Sequence, residues 1–324
     1  MRVGIVGLGH LGKIHLKLIN EISAFNLSAL YDIDKEVMAN LPYQNNVTLC
    51  ASYNELLELS DAVLIVTPTS SHFDLASSAI KKGKHVFIEK PATDNPDDTK
   101  TLINLAKEAD VVVQVGHVER FNPAFTAAKQ FINNPIHIDI QRFACYNKRG
   151  TDVSVVLDLM IHDIDLLFSM MKSKIRKISA SGAAIVSKSA DFASARFEFD
   201  NGCIEKLTAN RVALSNERKM AIFQKNTFIN IDLLNKQTVI QHINPITNSA
   251  SSKGIIIETG VNEQNFEMIR NQLLIHPVNA ITEELNHFYK SIAENLPIAV
   301  TLNDAELALQ AVHDIELQIN SLKR

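Results

Sequence analysis

The chain has 324 residues, of which 46% are hydrophobic and 21% are charged, and its formal net charge is −4 at pH 7. That length predicts about two domains, and the apolar content is enough for a core in each, which excludes an intrinsically disordered protein. A slightly acidic chain lacks the basic face that extensive nucleic-acid binding needs, although a small local phosphate site stays open.

The cysteines and the apolar segments exclude several further classes. Cys50, Cys145 and Cys203 are widely spaced and form no CxxC pair, so they predict neither a disulfide framework nor a zinc knuckle. No window approaches about 18 uninterrupted apolar residues, and the N-terminus is too short and too rich in glycine for a signal peptide. We therefore expect a cytoplasmic protein without a membrane span.

Residues 2–118 alternate between short apolar segments and helical patterns. The apolar segments, which we expect to be strands, are Arg2–Val6, Leu27–Tyr31, Ala62–Thr67, His85–Ile88 and Val111–Val115. The helical patterns are Leu11–Ile22, Lys35–Asn40, Tyr53–Leu59, Phe73–Lys82 and Asp97–Glu108. Most of the strands are continuously apolar, as in parallel strands buried on both faces. The strand–helix–strand repetition predicts an α/β fold with a doubly wound parallel sheet, which we assign to a domain at 1–120.

The pattern changes after about residue 120, and residues 121–324 are assigned to a second domain. Its expected strands are Ile136–Cys145, Ile175–Ala183, Ser194–Phe199, Cys203–Asn210, Met220–Gln224, Phe228–Asp232 and Thr238–His242. Several of them alternate polar and apolar residues, which predicts an α+β domain with an open, mostly antiparallel sheet.

Three other segments complete the second domain. One helical pattern, Val155–Met171, lies among the strands, and Asn244–Gly260 has the composition of a mobile loop. Two amphipathic helices are expected at Pro277–Asn295 and Asn303–Leu322. These helices are candidates to pack back towards the first domain.

The first chemical signal is the glycine motif formed by Gly7, Leu8, Gly9, His10, Leu11 and Gly12, which follows the first strand and opens the first helix. Glycines there allow a tight turn and let the backbone approach a pyrophosphate at the helix N-terminus, so His10 and Leu11 contact it through backbone. Asp32, at the end of the second strand, can accept hydrogen bonds from ribose hydroxyls and would repel a 2′-phosphate. Together, the glycine motif and Asp32 predict dinucleotide binding, and Asp32 favours NAD over NADP. A glycine-rich turn with an unrelated aspartate is the alternative.

The second signal is Glu89-Lys90-Pro91, which closes the fourth or fifth strand, where the ligand crevice of an open α/β sheet lies. A lysine near a cationic nicotinamide ring is driven towards its neutral form, which suits it to proton transfer with a sugar hydroxyl. Without other signals, a lysine after a strand is more often a solvated surface residue.

The third signal lies on the expected helix of the second domain. Asp158 and His162 are four residues apart and share a face, with Asp165 three residues further on. A histidine flanked by carboxylates is held in one tautomer and can take a proton from an alcohol while hydride leaves to NAD⁺. A charge cluster with a structural histidine is the alternative. We expect no metal, because no further cluster of ligands accompanies these residues.

These residues, together with Thr67, Pro68 and His72, fall in the order and spacing of the Gfo/Idh/MocA oxidoreductases, which the sequence resembles over essentially its whole length. The resemblance implies an N-terminal Rossmann domain and NAD(P)-dependent oxidation or reduction of sugars, cyclitols and related compounds. It implies that the cofactor cleft is lined by Thr67, Pro68, His72, Glu89 and Lys90. It also implies that Lys90 is catalytic and that Asp158 and His162 bind substrate and act in acid–base chemistry. Which of Lys90 and His162 is the base stays open.

Three segments, 115–123, 149–153 and 156–165, resemble the branch of that family that oxidises the 3-hydroxyl of UDP-N-acetylglucosamine for lipid A diamino sugars. This likeness implies a nucleotide-sugar substrate met by Arg120, Asn122, Lys148 and Arg149. Arg120 and Asn122 are equally suited to fixing the crossover between the domains. Competing functions are a dehydrogenase of another sugar, cyclitol or nucleotide sugar, and a non-catalytic NAD-sensing regulator. The open sheet face predicts a homodimer or homotetramer.

Overall fold

The computed structural model describes residues 1–41, 47–147, 150–151, 153–246, 254–257 and 265–321. They divide into two compact units, of which the first comprises Met1–Phe121 and Val278–Gln310. The second unit comprises Asn122–Pro277 and Ala311–Arg324. A stretch from near the C-terminus therefore belongs to the first unit.

The first unit is built on a parallel sheet. Its strands are β1 (Arg2–Val6), β2 (Asn26–Tyr31), β3 (Thr48–Leu49), β4 (Ala62–Ile65), β5 (His85–Glu89) and β6 (Val113–Gly116). The helices between them are α1 (His10–Glu21), α2 (Lys35–Ala39), α3 (Tyr53–Leu59), α4 (His72–Lys81) and α5 (Pro96–Ala109). The spatial order β3-β2-β1-β4-β5-β6 reverses between β1 and β4, and this reversal creates a crevice at the carboxyl ends of the strands. The doubly wound parallel sheet expected from the sequence is confirmed.

The apolar composition of these strands follows from burial on both faces. All four residues of β4 are buried, and Ile5 and Leu64, paired across β1 and β4, are 0% exposed. Separate hydrophobic clusters cover the two sides of the sheet. Strand β3 was not expected, because its two exposed residues, Thr48 and Leu49, are too few to form a pattern. Lys90 consequently follows the fifth strand.

The second unit contains a nine-stranded sheet. Its strands are β7 (His137–Cys145), β8 (Ile175–Ala183), β9 (Phe192–Phe199), β10 (Ile204–Ala213), β11 (Glu217–Gln224), β12 (Thr227–Asp232), β13 (Gln237–Pro245), β14 (Ile255–Ile257) and β15 (Phe266–Gln272). The spatial order is β14-β15-β13-β12-β11-β7-β10-β9-β8. Strands β7 and β10 are parallel, and the other neighbouring pairs are antiparallel, which confirms the expected sheet type.

Helices cover one face of this sheet. They are α6 (Pro123–Lys129) and α7 (Ile161–Met170), the latter preceded by a π-helical turn at Val156–Met160. On the covered face, Arg142 of β7 pairs with Asp163 of α7, with Nη2 and Oδ1 2.7 Å apart and both side chains at most 3% exposed. A buried, bidentate pair of this kind fixes the orientation of α7 on the sheet.

Two expectations for the second unit differ from the structure. The segment Asn244–Gly260, expected to be a mobile loop, contains the end of β13 and the strand Ile255–Ile257, which pairs with β15. Residues 247–253 and 258–260 of that segment lie outside the described residues. The sequence patterns missed α6 because it has only seven residues, and β15 because it is half-exposed and without clear alternation.

The remaining helices are α8 (Ala280–Ala293) and α9 (Leu302–Ser321). In the first unit, Phe288 of α8 packs edge-on against Phe87 of β5 at 5.9 Å between ring centroids. Gln114 of β6 also donates from Nε2 to the carbonyl oxygen of Glu284 at 3.0 Å. None of the helices in the described part of the chain combines the length and apolarity needed to cross a lipid bilayer.

Candidate functional site

Each glycine of the loop between β1 and α1 is suited to its position for a different physical reason. Gly7 has φ +90°, and a β-carbon there would lie 2.4 Å from the Val66 carbonyl oxygen. A β-carbon at Gly12 would lie 2.0 Å from the Gly7 carbonyl oxygen, so helix and loop could not pack as they do. At Gly9, by contrast, no heavy atom lies within 4 Å of the position a β-carbon would take. The space at Gly9, beside the N-terminus of α1, is where a pyrophosphate binds in this fold.

Asp32 is fixed at the end of β2 by backbone amides. Its Oδ2 accepts a hydrogen bond from Leu8 N at 2.6 Å, and its Oδ1 accepts one from Asp34 N at 2.9 Å. The carboxylate is thereby tied to the glycine loop. A carboxylate oxygen can accept about two hydrogen bonds, so both oxygens of Asp32 keep capacity for the hydroxyls of a ribose.

A cavity of about 640 Å³ opens at this edge of the sheet. Its lining includes residues from the glycine loop, from the end of β2 and from the segment after β4, among them Gly7, Gly9, Asp32, Thr67 and Pro68. The volume is in the range of ligand pockets, and the acidic end and the open glycine cradle fit the adenosine and pyrophosphate of NAD.

His72 is 1% exposed and lies behind the cavity wall. Its Nδ1 and Nε2 are each 2.9 Å from a backbone carbonyl oxygen, those of Pro91 and Thr67 respectively. The ring therefore joins the segment after β4 to the segment after β5. His72 therefore affects the cavity indirectly, by fixing the backbone at Thr67 and Pro91.

Lys90 is half-buried at the carboxyl end of β5, and its peptide bond to Pro91 is cis. Glu89, the last residue of the strand, accepts a hydrogen bond at Oε2 from Lys90 N at 3.2 Å. The other carboxylate oxygen, Oε1, is 2.7 Å from Nε2 of His15 in α1. Sequence reasoning missed His15, because no local pattern connects it to a residue 74 positions away.

Arg120 and Asn122 both have partners that hold the fold together. Arg120, with a 14% exposed side chain, approaches Asp304 Oδ1 at 3.5 Å and donates to Ala299 O at 3.3 Å. Burial alone would raise the pKa of Asp304, but the Arg120 charge and hydrogen bonds from Thr301 outweigh burial and lower it.

Asn122 is 6% exposed and caps α6, because its Oδ1 accepts from Ala124 N at 3.1 Å. Its Nδ2 donates to the Leu233 carbonyl oxygen at 2.9 Å. Lys148 and Arg149, the other two cationic residues expected at the substrate, lie outside the described residues.

The second unit has a cavity of about 510 Å³ that includes Asp158. Its lining residues are Ala144, Cys145, Tyr146, Asn147, Gly150, Asp158, Leu159, Arg211 and Asn216. Asp158 lies in the π-helical turn, a feature often found at functional sites, and half-buried His162 follows in α7. A β-carbon at Gly150 would lie 3.0 Å from Asp158 Oδ2, so Gly150 and the carboxylate are close together.

A buried ion pair that the sequence did not indicate supports this cavity. Arg211 donates from Nε to Asp191 Oδ1 at 2.8 Å and from Nη1 to Gly150 O at 2.6 Å. The other oxygen of Asp191 accepts three backbone N–H bonds, from residues 185–187. Burial raises the pKa of Asp191, but these N–H donors outweigh it and hold the pKa well below its usual value.

The aspartates that follow His162 are both buried, Asp163 at 2% and Asp165 at 1% exposed. Asp163 is engaged by Arg142 in the sheet. Within the described ranges, no group of three or more His, Cys, Asp and Glu side chains is placed to hold a metal ion.

Comparison with known proteins gives the family. Residues 1–117 match the model of an oxidoreductase family with an NAD-binding Rossmann fold, GFO_IDH_MocA, and residues 132–228 match the GFO/IDH/MocA C-terminal domain. The chain is 32% identical over 299 residues to UDP-N-acetylglucosamine 3-dehydrogenase of Acidithiobacillus ferrooxidans, covering 92% of this chain and 90% of that one. It is 25% identical to myo-inositol 2-dehydrogenase of Thermotoga maritima, over 95% of this chain and 93% of the relative.

Solved structures agree with these matches. A structure of the Acidithiobacillus ferrooxidans enzyme superposes with a TM-score of 0.88 at 30% identity, covering 100% of this chain and 99% of that chain. A probable dehydrogenase from Thermotoga maritima, at 23% identity and a TM-score of 0.80, shares the fold. The chain belongs to the Gfo/Idh/MocA family. It is an oxidoreductase, and the expected cofactor, NAD, is confirmed by the family match.

Proposed function

We propose that this protein oxidises a sugar hydroxyl to a ketone with NAD⁺, and that the substrate is UDP-N-acetylglucosamine, oxidised at its 3-hydroxyl. The observation that carries the proposal is the likeness to UDP-N-acetylglucosamine 3-dehydrogenase over nearly the full length of both chains, in sequence and in structure. The proposal assigns the step to the synthesis of the diamino sugar of lipid A, in the cytoplasm.

The reaction removes a hydride and a proton from one carbinol group. When bound, NAD⁺ accepts the hydride, so the protein must take up the hydroxyl proton. We assign that proton to Lys90 or His162, both of which carry nitrogen bases. The position of Lys90 at the carboxyl end of β5 supports its role, because ligands of open α/β sheets bind at those ends. Asp158, which lines the cavity of the second unit, orients the sugar by accepting hydrogen bonds from its hydroxyls.

The remaining residues are assigned to the ribose of NAD and to the diphosphate of the substrate. Asp32 selects NAD, since its fixed carboxylate accepts from ribose hydroxyls and repels a 2′-phosphate. Lys148 and Arg149 would meet the diphosphate of the substrate, which a bidentate guanidinium fits well. Arg120 and Asn122 would support the substrate site through the contacts that hold them.

A panel of UDP-sugars, free sugars and inositols tests the function, with NADH formation followed by absorbance and a ketone-trapping reagent added to pull the equilibrium forward. We expect NADH with UDP-N-acetylglucosamine, together with a trapped adduct whose mass corresponds to a ketone two hydrogens lighter than the substrate. If no UDP-sugar yields NADH, the specific proposal fails. Strong turnover of an inositol or a free sugar instead would move the assignment to another branch of the family.

Two substitutions test the proton assignment. Lys90→Met and His162→Asn each remove a nitrogen base, and general acid–base catalysis contributes about 10²- to 10⁴-fold to a rate. We expect the variant that lacks the base to lose kcat on that scale while NAD binding is retained. Near wild-type turnover of Lys90→Met would remove that lysine from the mechanism.

We also propose that a second copy covers the open face of the nine-stranded sheet. His137, Phe223 and Phe228 form a row of rings across β7, β11 and β12, with centroids 5.8 Å and 4.7 Å apart. Phe223 is 44% exposed. Light scattering should give a dimeric or tetrameric mass that falls in Phe223→Lys, and a monomeric wild type at micromolar concentration would contradict the proposal.

A further inference from the structure

The buried histidine of helix α1, His15, has no part in the chemistry described so far. Its side chain is 0% exposed, and its Nε2 lies 2.7 Å from Glu89 Oε1. Its Nδ1 is buried and has no hydrogen-bond partner in the part of the chain that the structure describes. An apolar residue would fill this core position without leaving a polar atom unsatisfied. The histidine therefore serves the contact with Glu89 rather than packing.

The Glu89 carboxylate is confined on several sides. Oε1 faces His15, and Oε2 accepts the backbone N–H of Lys90 at 3.2 Å. On the neighbouring strand β6, a β-carbon at Gly116 would approach the carboxylate oxygens to 3.0 and 3.2 Å, so glycine leaves the room that the carboxylate needs. The His15 ring also packs at 5.6 Å from the ring of Phe87. These contacts restrict the position of the carboxylate.

We propose that His15 is a positioning residue that acts through Glu89 to fix the backbone of Lys90. The inference rests on the proposed function, in which Lys90 works at the reacting hydroxyl. The Glu89 carboxylate holds the Lys90 amide, and His15 holds the carboxylate, so loss of the His15 donor frees the carboxylate to turn away. A displacement of about 1 Å at a reacting group costs on the order of 100-fold in rate.

A matched pair of variants isolates the hydrogen bond. Glutamine has its amide nitrogen the same number of bonds from the backbone as Nε2 of histidine, so His15→Gln keeps a donor for Glu89. His15→Met has the same reach and no donor. We expect kcat to fall about 10- to 100-fold in His15→Met and to stay within about threefold of wild type in His15→Gln. NAD binding, measured by calorimetry, should be unchanged in both.

A control separates positioning from stability. His85 begins the same strand, and its Nδ1 accepts the Val112 N–H at 3.0 Å, so His85→Met removes a histidine hydrogen bond at the opposite end of β5. We expect His85→Met to lower the melting temperature without the loss in kcat. Equal kcat in His15→Met and His85→Met would overturn the proposal.

A second measurement does not depend on turnover. The rate of reductive methylation of Lys90, read by mass spectrometry with the other lysines as internal references, should change in His15→Met and be restored in His15→Gln. If wild type oxidises no sugar, the proposed function fails and the Lys90 methylation rate still decides the role of His15. An unchanged methylation rate in His15→Met refutes that role. Should His15→Met not fold, Glu89→Gln, which cannot accept at both oxygens, is expected to show the same change, and a wild-type rate there refutes the inference.

Discussion

Removing the Asp191 carboxylate is predicted to destabilise the second unit strongly. The side chain is 0% exposed, and it accepts three backbone N–H bonds and the Nε–H of Arg211. Asp191→Ala leaves the Arg211 guanidinium, 5% exposed, without its counter-ion. Breaking one partner of a buried pair costs about 3–5 kcal/mol, and we expect the free energy of unfolding to fall by that amount.

The assay is urea unfolding of wild type, Asp191→Ala and a surface control. Glu217→Ala removes the Lys219–Glu217 pair, 3.0 Å apart and 33–51% exposed, for which we expect a change below about 1 kcal/mol. Loss of the Asp191 carboxylate should also loosen Arg211, which donates to the Gly150 carbonyl oxygen. Because Gly150 lies beside Asp158, KM for the sugar should rise. If the free energy of unfolding falls no more in Asp191→Ala than in Glu217→Ala, this account of the Asp191–Arg211 pair is refuted.

The difference in the free energy of unfolding between wild type and Asp191→Ala should depend on pH, and the sign of that dependence follows from the pKa of Asp191. The folded protein lowers the pKa of Asp191 below its ordinary value of 3.8. The contribution of the carboxylate is therefore complete above the ordinary pKa and is lost as the pH falls below it. The difference between wild type and Asp191→Ala should be constant near neutral pH and shrink on acidification. A difference that grows below pH 3.8 would contradict the assignment.

Three further outcomes are expected. Gly9→Ala should fold with unchanged melting temperature and bind NAD more weakly in calorimetry, whereas Gly12→Ala should be destabilised, because only the latter β-carbon meets backbone. Asp32→Ser should raise KM for NAD and improve the use of NADP, as measured by kcat/KM for each cofactor, and unchanged discrimination would contradict the role of the carboxylate. Burial raises the pKa of Glu205 from 4.5 to about 9, so its neutral form is favoured in the fold and stability is lost as the pH rises between those values. Glu205→Gln should therefore stabilise the protein by about 3 kcal/mol at pH 7 and by nothing below pH 4.5 in urea unfolding, and an equal gain at both would be inconsistent with the burial of a carboxyl.

Local patterns were sufficient where a segment carries its own signal. Strand β1 is Arg2–Val6 and helix α3 is Tyr53–Leu59, as expected, because apolar strands and a Ser52-capped helix are recognisable within a few residues. The glycine loop was predictable for the same reason, since its turn, its helix start and its distance to Asp32 are all short-range features. Short elements such as β3 and α6 carry too few residues for a pattern and take their form from the neighbours they pack on.

The sequence by itself determined the fold class, the cofactor and the residue types available for chemistry. The reason is that apolar periodicity, glycine spacing and motif order can be recognised in the sequence without knowing which distant residues meet. Only the tertiary structure decided which distant groups meet: His15 with Glu89 across 74 positions, and Arg211 with Asp191 and with the Gly150 carbonyl oxygen. It also decided that Asn122 donates to the Leu233 carbonyl oxygen, 111 positions away. Leaving a buried polar group without a partner costs stability, and the order in which strands pair determines which partner is within reach.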